Sequence, residues 1–171
     1  MGVALRALTE NTLLQSFYLT IKIYSMENNQ DNSKIIRSKY VPTSEFYSQI
    51  IDSLQDYSIF TLDREFIINS WSSGSTKIFG YETDEVIGKS FDVIFTEDDL
   101  KNNIPKKEIE IALKEGRATD NRWHIAKDKS LFYAYGLVFP LIGLEGELLG
   151  YVKILRDLTE RKQSEDALRI M

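Results

Sequence analysis

Residues 119–155 read TDNRWHIAKDKSLFYAYGLVFPLIGLEGELLGYVKIL, and this stretch determines the fold class. Aromatic and branched apolar residues alternate in it with small or polar residues, as they do in strands that bury one face. The alternation predicts three antiparallel strands, Thr119–Lys127, Leu131–Leu141 and Leu148–Leu155. Short turns join these strands at Asp128–Ser130 and Gly143–Gly146.

Two shorter strands are predicted upstream of this region. They are Tyr57–Leu62 and Phe66–Asn69, and the residues between them, Asp63–Glu65, form a connection of hairpin length. We therefore expect five strands in all.

Short helices are predicted between the two groups of strands. One covers Ser72–Gly80, and Thr83–Val86 restarts a turn of helix that Gly88 stops. A longer helix over Thr96–Gly116 opens with acidic residues, which the helix dipole favours at that end, and Pro105 is expected to kink it.

The order of two strands, several helices and three strands indicates an α+β fold. We expect a five-stranded, mostly antiparallel sheet with short helices on one face, spanning residues 57–157. Amphipathic helices are predicted to flank this domain at residues 43–56 and 158–171. Residues 1–42 are interpreted as a partly flexible N-terminal extension, in which Met26 offers an alternative start of translation.

The bulk composition excludes several classes of protein. A net charge of −5 disfavours binding to the phosphate backbones of nucleic acids. The absence of Cys excludes disulfides, thiolate metal sites and cysteinyl-flavin photochemistry, and it fits a cytoplasmic location. Polar residues interrupt the apolar run Leu13–Tyr24, which is shorter than the ~20 residues of a membrane span, so no span is predicted.

Four motifs follow one another along the predicted elements. They are Trp71–Tyr81, ending in Phe-Gly-Tyr, then Asp84–Lys89 (DEVIGK), Trp123–Phe132 (WHIAKDKSLF) and Arg156–Lys162 (RDLTERK). In this order they make residues 56–162 resemble the PAS family of sensory domains. The resemblance implies a sensory function and a C-terminal helix that connects the domain to an effector. Lys129 departs from the family pattern, since a glycine is usual at this turn position.

The sequence contains no pattern typical of an enzyme active site. His124 is the only histidine, no Gly-rich phosphate loop is present, and no His or Cys cluster has the spacing of metal ligands. We therefore predict neither catalysis nor a metal site. Haem is disfavoured because the family's haem-binding members use a His of the long helix, and residues 98–115 contain none.

His124 has two interpretations. The period of two in a strand places it on the same face as Arg122 and Ala126. The interpretation that we favour is a partly exposed strand residue without a special role. If the face points inward, the imidazole would instead contact an anionic ligand or respond to pH.

A ligand pocket is the second expectation for the domain interior. Small residues on neighbouring strands leave room for a ligand, and apolar helix residues would form the walls. Most aromatic residues at strand spacing are simply core residues, and Trp71 either belongs to the core or stacks on a planar cofactor. A noncovalent flavin or another small organic ligand is the expected occupant. The candidate residues are Trp71, Ile78, Phe79, Ile94, Ile109, Arg122, His124, Ala126, Ala134 and Gly136.

The junction with the C-terminal helix is the predicted exit for the signal. Asp157 or Thr159 is placed to cap this helix, and the junction residues are Arg156, Asp157, Leu158, Thr159 and Arg161. We expect a homodimer through the flanking helices and a downstream effector such as a histidine kinase. The alternative is a constitutive protein–protein interaction module with a filled core and no ligand.

Overall fold

A five-stranded sheet with the order β2-β1-β5-β4-β3 forms the centre of the computed structural model, which describes residues 43–170. β1 pairs antiparallel with β2 and with β5, and β3 pairs antiparallel with β4. The predicted α+β class and the antiparallel sheet are confirmed. The strands are β1 Tyr57–Leu62, β2 Ile68–Trp71, β3 Ala118–Ile125, β4 Leu131–Ile142 and β5 Leu148–Asp157.

Six α-helices and one 3₁₀ turn, at Phe91–Ile94, occur in the described residues. Local caps determine where several of them begin and end. The Ser72 hydroxyl accepts from the Ser75 amide at the start of α2, and Gly80 ends that helix at a φ of 76°. The helices are α1 Ser44–Ser53, α2 Ser73–Phe79, α3 Thr83–Val86, α4 Glu97–Lys101, α5 Ile104–Glu115 and α6 Thr159–Ile170.

The apolar core lies between one face of the sheet and the helices. Strand residues such as Phe60, Phe132 and Leu155 pack there with helix residues such as Phe79 and Ile109. Burial of these side chains supplies the main favourable term for folding, since each large apolar side chain contributes about 2 kcal/mol. No helix in residues 43–170 is long and apolar enough to cross a membrane.

The predicted start of the second strand at Phe66 is wrong. Phe66 has a φ of 67°, and β2 begins only at Ile68. The cause is the Asp63 carboxylate, which accepts from the amides of Glu65 and Ile67, both at 2.9 Å, and so extends the turn.

The long predicted helix is broken rather than kinked. α4 ends at Lys101, and Asn103 adopts a left-handed conformation with a φ of 55° before α5 begins. Pro105 lies in the first turn of α5, where its missing amide hydrogen costs nothing. The proline therefore starts a new helix instead of bending an existing one.

The turn between β3 and β4 is tight although it lacks glycine. Lys129 takes the left-handed conformation with a φ of 71°. Its amide donates to the Ala126 carbonyl at 3.0 Å, and the Asp128 carboxylate accepts from the Ser130 amide at 2.9 Å. These hydrogen bonds hold Lys129 in a conformation that glycine adopts at lower cost.

Residues 143–147 connect β4 to β5. In this turn, the Gly143 amide donates to the Glu147 carbonyl at 2.8 Å, and the Gly146 amide donates to the Gly143 carbonyl at 3.1 Å. Gly146 has a φ of 85°, which is the left-handed conformation that glycine favours.

Candidate functional site

Charged side chains from four elements meet in the interior of the domain. Lys153 Nζ on β5 lies 2.6 Å from Glu108 Oε2 on α5 and 3.6 Å from Asp120 Oδ1 on β3. Arg122 on β3 pairs through Nε with Asp120, and one of its terminal nitrogens lies 2.8 Å from Asp99 Oδ1 on α4. We call these five residues, Asp99, Glu108, Asp120, Arg122 and Lys153, the interior charge cluster.

Ordinary periodicities place these charges inside. On α5, Glu108 follows the buried Pro105 by three residues, so it lies on the helix face that packs inward. On β3, the period of two puts Asp120 on the face of His124. Lys153 lies within a run of buried β5 residues. The Lys153, Glu108 and Asp120 side chains are only 1%, 7% and 8% exposed.

Burial and mutual contact shift the pKa values of the two central carboxyl groups in opposite directions. Burial raises the pKa of Glu108 to about 7, although the Lys153 charge opposes the shift. Burial acts in the same direction on Asp120, but the Lys153 charge and the hydrogen bond from Arg122 hold the pKa of Asp120 well below its usual range. Glu108 is therefore the carboxyl group that takes up a proton first.

His124 is fully buried, so the interpretation as a partly exposed strand residue is wrong. Nδ1 lies 3.0 Å from the Ile94 carbonyl oxygen, which only accepts, so Nδ1 carries the proton of the neutral ring. Nε2 is buried and has no hydrogen-bond partner among residues 43–170. The rings of Phe95 and Phe132 lie 5.4 and 5.9 Å away. Burial, assisted by the Lys153 charge, lowers the pKa of His124 to about 4, so the ring is neutral near pH 7.

Trp71 packs as a core residue. Its indole Nε1 donates to the Tyr81 carbonyl at 3.1 Å, and its ring lies 5.0 Å from Phe60 and 5.6 Å from Phe79. The other apolar pocket candidates belong to the apolar core or pack against it. They are Ile78, Phe79, Ile94, Ile109, Ala126 and Ala134.

The space above Gly136 is filled by charged side chains. Gly136 pairs with Asp120 across β3 and β4. A Cβ at Gly136 would lie 2.1 Å from Asp120 Oδ1 and 3.2 Å from Lys153 Nζ. Because glycine has no side chain, Asp120 and Lys153 can meet above Gly136. The sequence had predicted that this region would form the floor of a ligand pocket.

Four of the five residues of the interior charge cluster were not among the predicted site residues. They are Asp99, Glu108, Asp120 and Lys153, although Asp120 lies on the predicted face of Arg122 and His124. The sequence does contain a signal for Lys153, a single charge within the apolar run Tyr151–Leu155. The sequence indicates the burial of Glu108 less clearly, because the residue at which α5 begins decides on which face of the helix Glu108 lies.

The predicted exit junction is hydrogen-bonded to β4. The Leu158 amide donates to the Tyr133 carbonyl at 2.7 Å, and the Tyr133 amide donates to the Thr159 hydroxyl at 2.9 Å. The Asp157 carboxylate accepts from the Thr159 amide at 2.8 Å and from its hydroxyl at 2.6 Å. Of the other junction residues, Arg156 lies 5.5 Å above the Tyr57 ring, and Arg161 pairs with Glu165 at 3.1 Å.

In the described part of the chain, no group of three or more His, Cys, Asp or Glu residues is arranged to hold a metal ion. The positive charges beside the cluster carboxylates come from Arg122 and Lys153. The interior charge cluster therefore pairs carboxylates of the protein with two of its own cations.

Solved structures of low sequence identity share this fold. A PAS domain from Colwellia psychrerythraea superposes with a TM-score of 0.63 at 22% identity, covering 68% of this chain and 97% of its own. An RNA-binding Light-Oxygen-Voltage receptor gives a TM-score of 0.62 at 17% identity, covering 84% of this chain and 41% of its own. At these identities the likeness concerns the fold.

Sequence comparisons extend the likeness to a family. Two-component system protein A of Emericella nidulans is 34% identical over 146 residues, which are 85% of this chain and 21% of that protein. The chain thus spans about a fifth of the length of this curated relative. Residues 56–160 match the family described as the PAS domain, in agreement with the resemblance found in the four motifs. The chain belongs to the PAS domain family.

Proposed function

We propose that this chain is a non-catalytic sensory and dimerisation module of a two-component signalling protein, and that it passes the state of its interior to α6. The observation that carries the proposal is the pair of hydrogen bonds between the Tyr133 backbone and the exit junction. Membership of the PAS family and the likeness to a two-component system protein support the signalling context.

The proposed path from the interior to α6 is short. Phe132 and Ala134, on either side of Tyr133, are buried core residues. Phe132 pairs with His124 across β3 and β4. A displacement of these inward-facing residues would move the backbone of Tyr133. The Tyr133 carbonyl is hydrogen-bonded to Leu158, and the Tyr133 amide is hydrogen-bonded to Thr159. The start of α6 would then shift with β4.

The proposed input is a noncovalent small ligand or a partner protein, and the proposed effector is a histidine kinase or a related protein of the cytoplasm. Flavin is one candidate ligand, without a cysteinyl adduct, since the chain has no Cys. The pocket residues predicted from the sequence remain our candidates for contacts. Native mass spectrometry and an absorbance scan of the purified chain test the small ligand as the input, because a retained small molecule supports it and an empty protein contradicts it.

One observation favours the alternative, a constitutive interaction module without a ligand. The space above Gly136 is occupied by Asp120 and Lys153, which is expected of a filled core. Under this alternative, the protein purified from cells carries no small molecule, and added flavin leaves its thermal stability unchanged.

The coupling of β4 to α6 is tested with Thr159→Ala. This substitution removes the acceptor of the Tyr133 amide, so we expect amide hydrogen exchange in the first turn of α6 to become at least several-fold faster. Ser164→Ala is the matched control, because the Ser164 hydroxyl bonds only within α6, to the Glu160 carbonyl at 2.9 Å. Equal exchange in both variants would refute the proposed coupling.

A homodimer through the flanking helices is the remaining part of the proposal. α1 has no buried residue, and α6 exposes 69% of Leu168 and 88% of Ile170. Such apolar residues at a helix end favour pairing with a second copy. We expect Leu168→Glu to weaken the dimer in light scattering, and Gln163→Glu, which adds the same charge to α6, to leave it intact. A monomeric mass for the unmodified chain at high concentration would contradict the dimer.

A further inference from the structure

Two buried carboxyl groups of the interior charge cluster, those of Glu108 and Asp120, lie against the same two cations, Arg122 and Lys153. Glu108 Oε1 and Asp120 Oδ1 are both shielded from solvent, and neither accepts a hydrogen bond from the described residues. Their other oxygens are occupied, because Glu108 Oε2 accepts from Lys153 at 2.6 Å and Asp120 Oδ2 accepts from Arg122.

The cations near these two oxygens do not satisfy them. Arg122 Nε lies 3.4 Å from Glu108 Oε1, and Lys153 Nζ lies 3.6 Å from Asp120 Oδ1. Both distances allow attraction between charges, but they do not give hydrogen bonds of good geometry. An unsatisfied buried acceptor costs about 1–3 kcal/mol, so two of them beside the same pair of cations favour the presence of a further donor, such as a proton.

The charges of the cluster are also unequal. Asp99, Glu108 and Asp120 supply three carboxylates, whereas Arg122 and Lys153 supply two cations. An excess negative charge in the interior is costly because water no longer solvates it. One proton would remove this excess charge and would also provide the missing donor.

We propose that Glu108 and Asp120 share one proton and form a buried proton-binding site. The proton resides on Glu108, which donates it to the Asp120 carboxylate. Asp120 stays ionised because Arg122 and Lys153 lie beside it. The raised pKa of Glu108 and the lowered pKa of Asp120 agree with this assignment.

Charged and titratable groups approach Glu108 from each element that packs against it. Asp120 and Arg122 come from β3, Lys153 from β5, and Asp99 from α4 through its pair with Arg122. β3 also contributes His124, which stays neutral above pH 5 because its pKa is lowered to about 4. The Tyr135 phenol of β4 interacts with Asp120, and its raised pKa keeps it neutral. Glu108 is therefore the group that changes charge near pH 7.

Loss of this proton would affect the residues of β3 and β4. Deprotonated Glu108 and Asp120 would carry like charges beside the same two cations and would therefore repel each other. Asp120 pairs with Gly136, and the same two strands pair His124 with Phe132, next to Tyr133. The proton-binding site does not depend on the proposed function, but an effect of the proton on α6 rests on that proposed function.

A carbon-13 NMR titration of the full 171-residue chain tests the site directly. We expect the Glu108 side-chain carboxyl carbon to titrate with a midpoint near pH 7, and Asp120→Asn to shift that midpoint to lower pH because it removes the neighbouring charge. The exposed Glu110 on α5 provides the reference within the same helix. A Glu108 midpoint below pH 5 overturns the proposal.

The effect on α6 is tested separately by the amide chemical shifts of Leu158 and Thr159. We expect these shifts to follow the Glu108 titration in the unmodified chain and in Glu110→Gln, and to become independent of pH near 7 in Glu108→Gln. If Glu108 titrates near pH 7 while both amides stay constant, the proton site stands and its coupling to α6 is refuted. If the amides of Glu108→Gln still titrate, another group causes the change and the coupling is likewise refuted.

Discussion

At the scale of single residues, Lys153 shows how one buried charge organises its surroundings. Its side chain is 1% exposed and contacts carboxylates from α5 and β3. Its amino group also lies 5.7 Å from the centre of the Phe95 ring. A buried ion pair of this kind contributes little net stability, but removal of one partner is costly because the other charge is left unpaired.

Lys153→Met should therefore destabilise the domain by about 3 kcal/mol at pH 8, as measured by chemical denaturation. Adding Glu108→Gln removes one of the stranded carboxylates, so the double variant should lose at least about 1 kcal/mol less than the sum of the single variants. Strictly additive losses would show that the two side chains do not interact in solution.

Lys129 shows strain at a single residue. Its left-handed backbone costs about 1 kcal/mol for a residue with a Cβ, whereas glycine adopts it freely but loses more entropy on folding. We expect Lys129→Gly to raise the free energy of unfolding by about 0.5 kcal/mol. Lys129→Ala is the control, since it removes the charge and keeps the strain. A gain of equal size in Lys129→Ala would assign the effect to charge.

At the scale of elements, α2 is held tightly against β1 by small residues. The Ser75 hydroxyl lies 2.8 Å from that of Ser58 on β1 and 3.0 Å from that of Ser72, and the Ser72 hydroxyl accepts from the Ile59 amide. These buried hydroxyl groups satisfy one another while the backbones approach closely.

Gly74 marks the closest approach between α2 and the preceding chain. A Cβ there would lie 2.0 Å from the Tyr57 carbonyl oxygen and 2.7 Å from that of Leu54. Gly74→Ala should thus lower the free energy of unfolding by about 2 kcal/mol, although alanine is the better helix former. Lys77→Ala, on the exposed side of the same helix, should change it by less than about 0.5 kcal/mol. A stabilised Gly74→Ala variant would contradict the packing described here.

At the scale of the whole molecule, the buried groups link stability to pH. Glu108 has a raised pKa, so the folded protein holds a proton that the unfolded chain releases between pH 4.5 and about 7, and stability falls as pH rises through this window. His124 has a lowered pKa, so its contribution rises between about pH 4 and 6.5. The contributions of Glu108 and His124 to the pH dependence of stability therefore have opposite signs over most of the range between pH 4 and 7.

Glu108→Gln separates these two contributions. Without the Glu108 proton, only the His124 contribution remains, so the stability of the variant relative to the unmodified chain should increase between pH 5 and 7.5, by up to about 3 kcal/mol. Urea denaturation at several pH values measures this difference, with Glu110→Gln as the control. Parallel pH profiles for Glu108→Gln and the unmodified chain would show that Glu108 titrates normally.

Local patterns were sufficient to predict the sheet, the helix ends at Gly80 and Gly116, and the resemblance to the PAS family. They were sufficient because side-chain alternation and helix caps are determined by residues that lie only a few positions apart in the sequence. The β2 start at Ile68 and the separation of α4 from α5 were missed. Both depend on left-handed residues, Phe66 and Asn103, whose conformation is decided by the turns around them.

The sequence by itself determined that this chain forms a five-stranded α+β domain followed by a further helix, α6. Only the tertiary structure decided which charges lie inside, because Glu108 and Lys153 are 45 residues apart and meet only when α5 packs on the sheet. The burial of His124 was decided in the same way. Desolvation depends on every neighbouring element at once, so the chemical character of these side chains is a property of the folded domain.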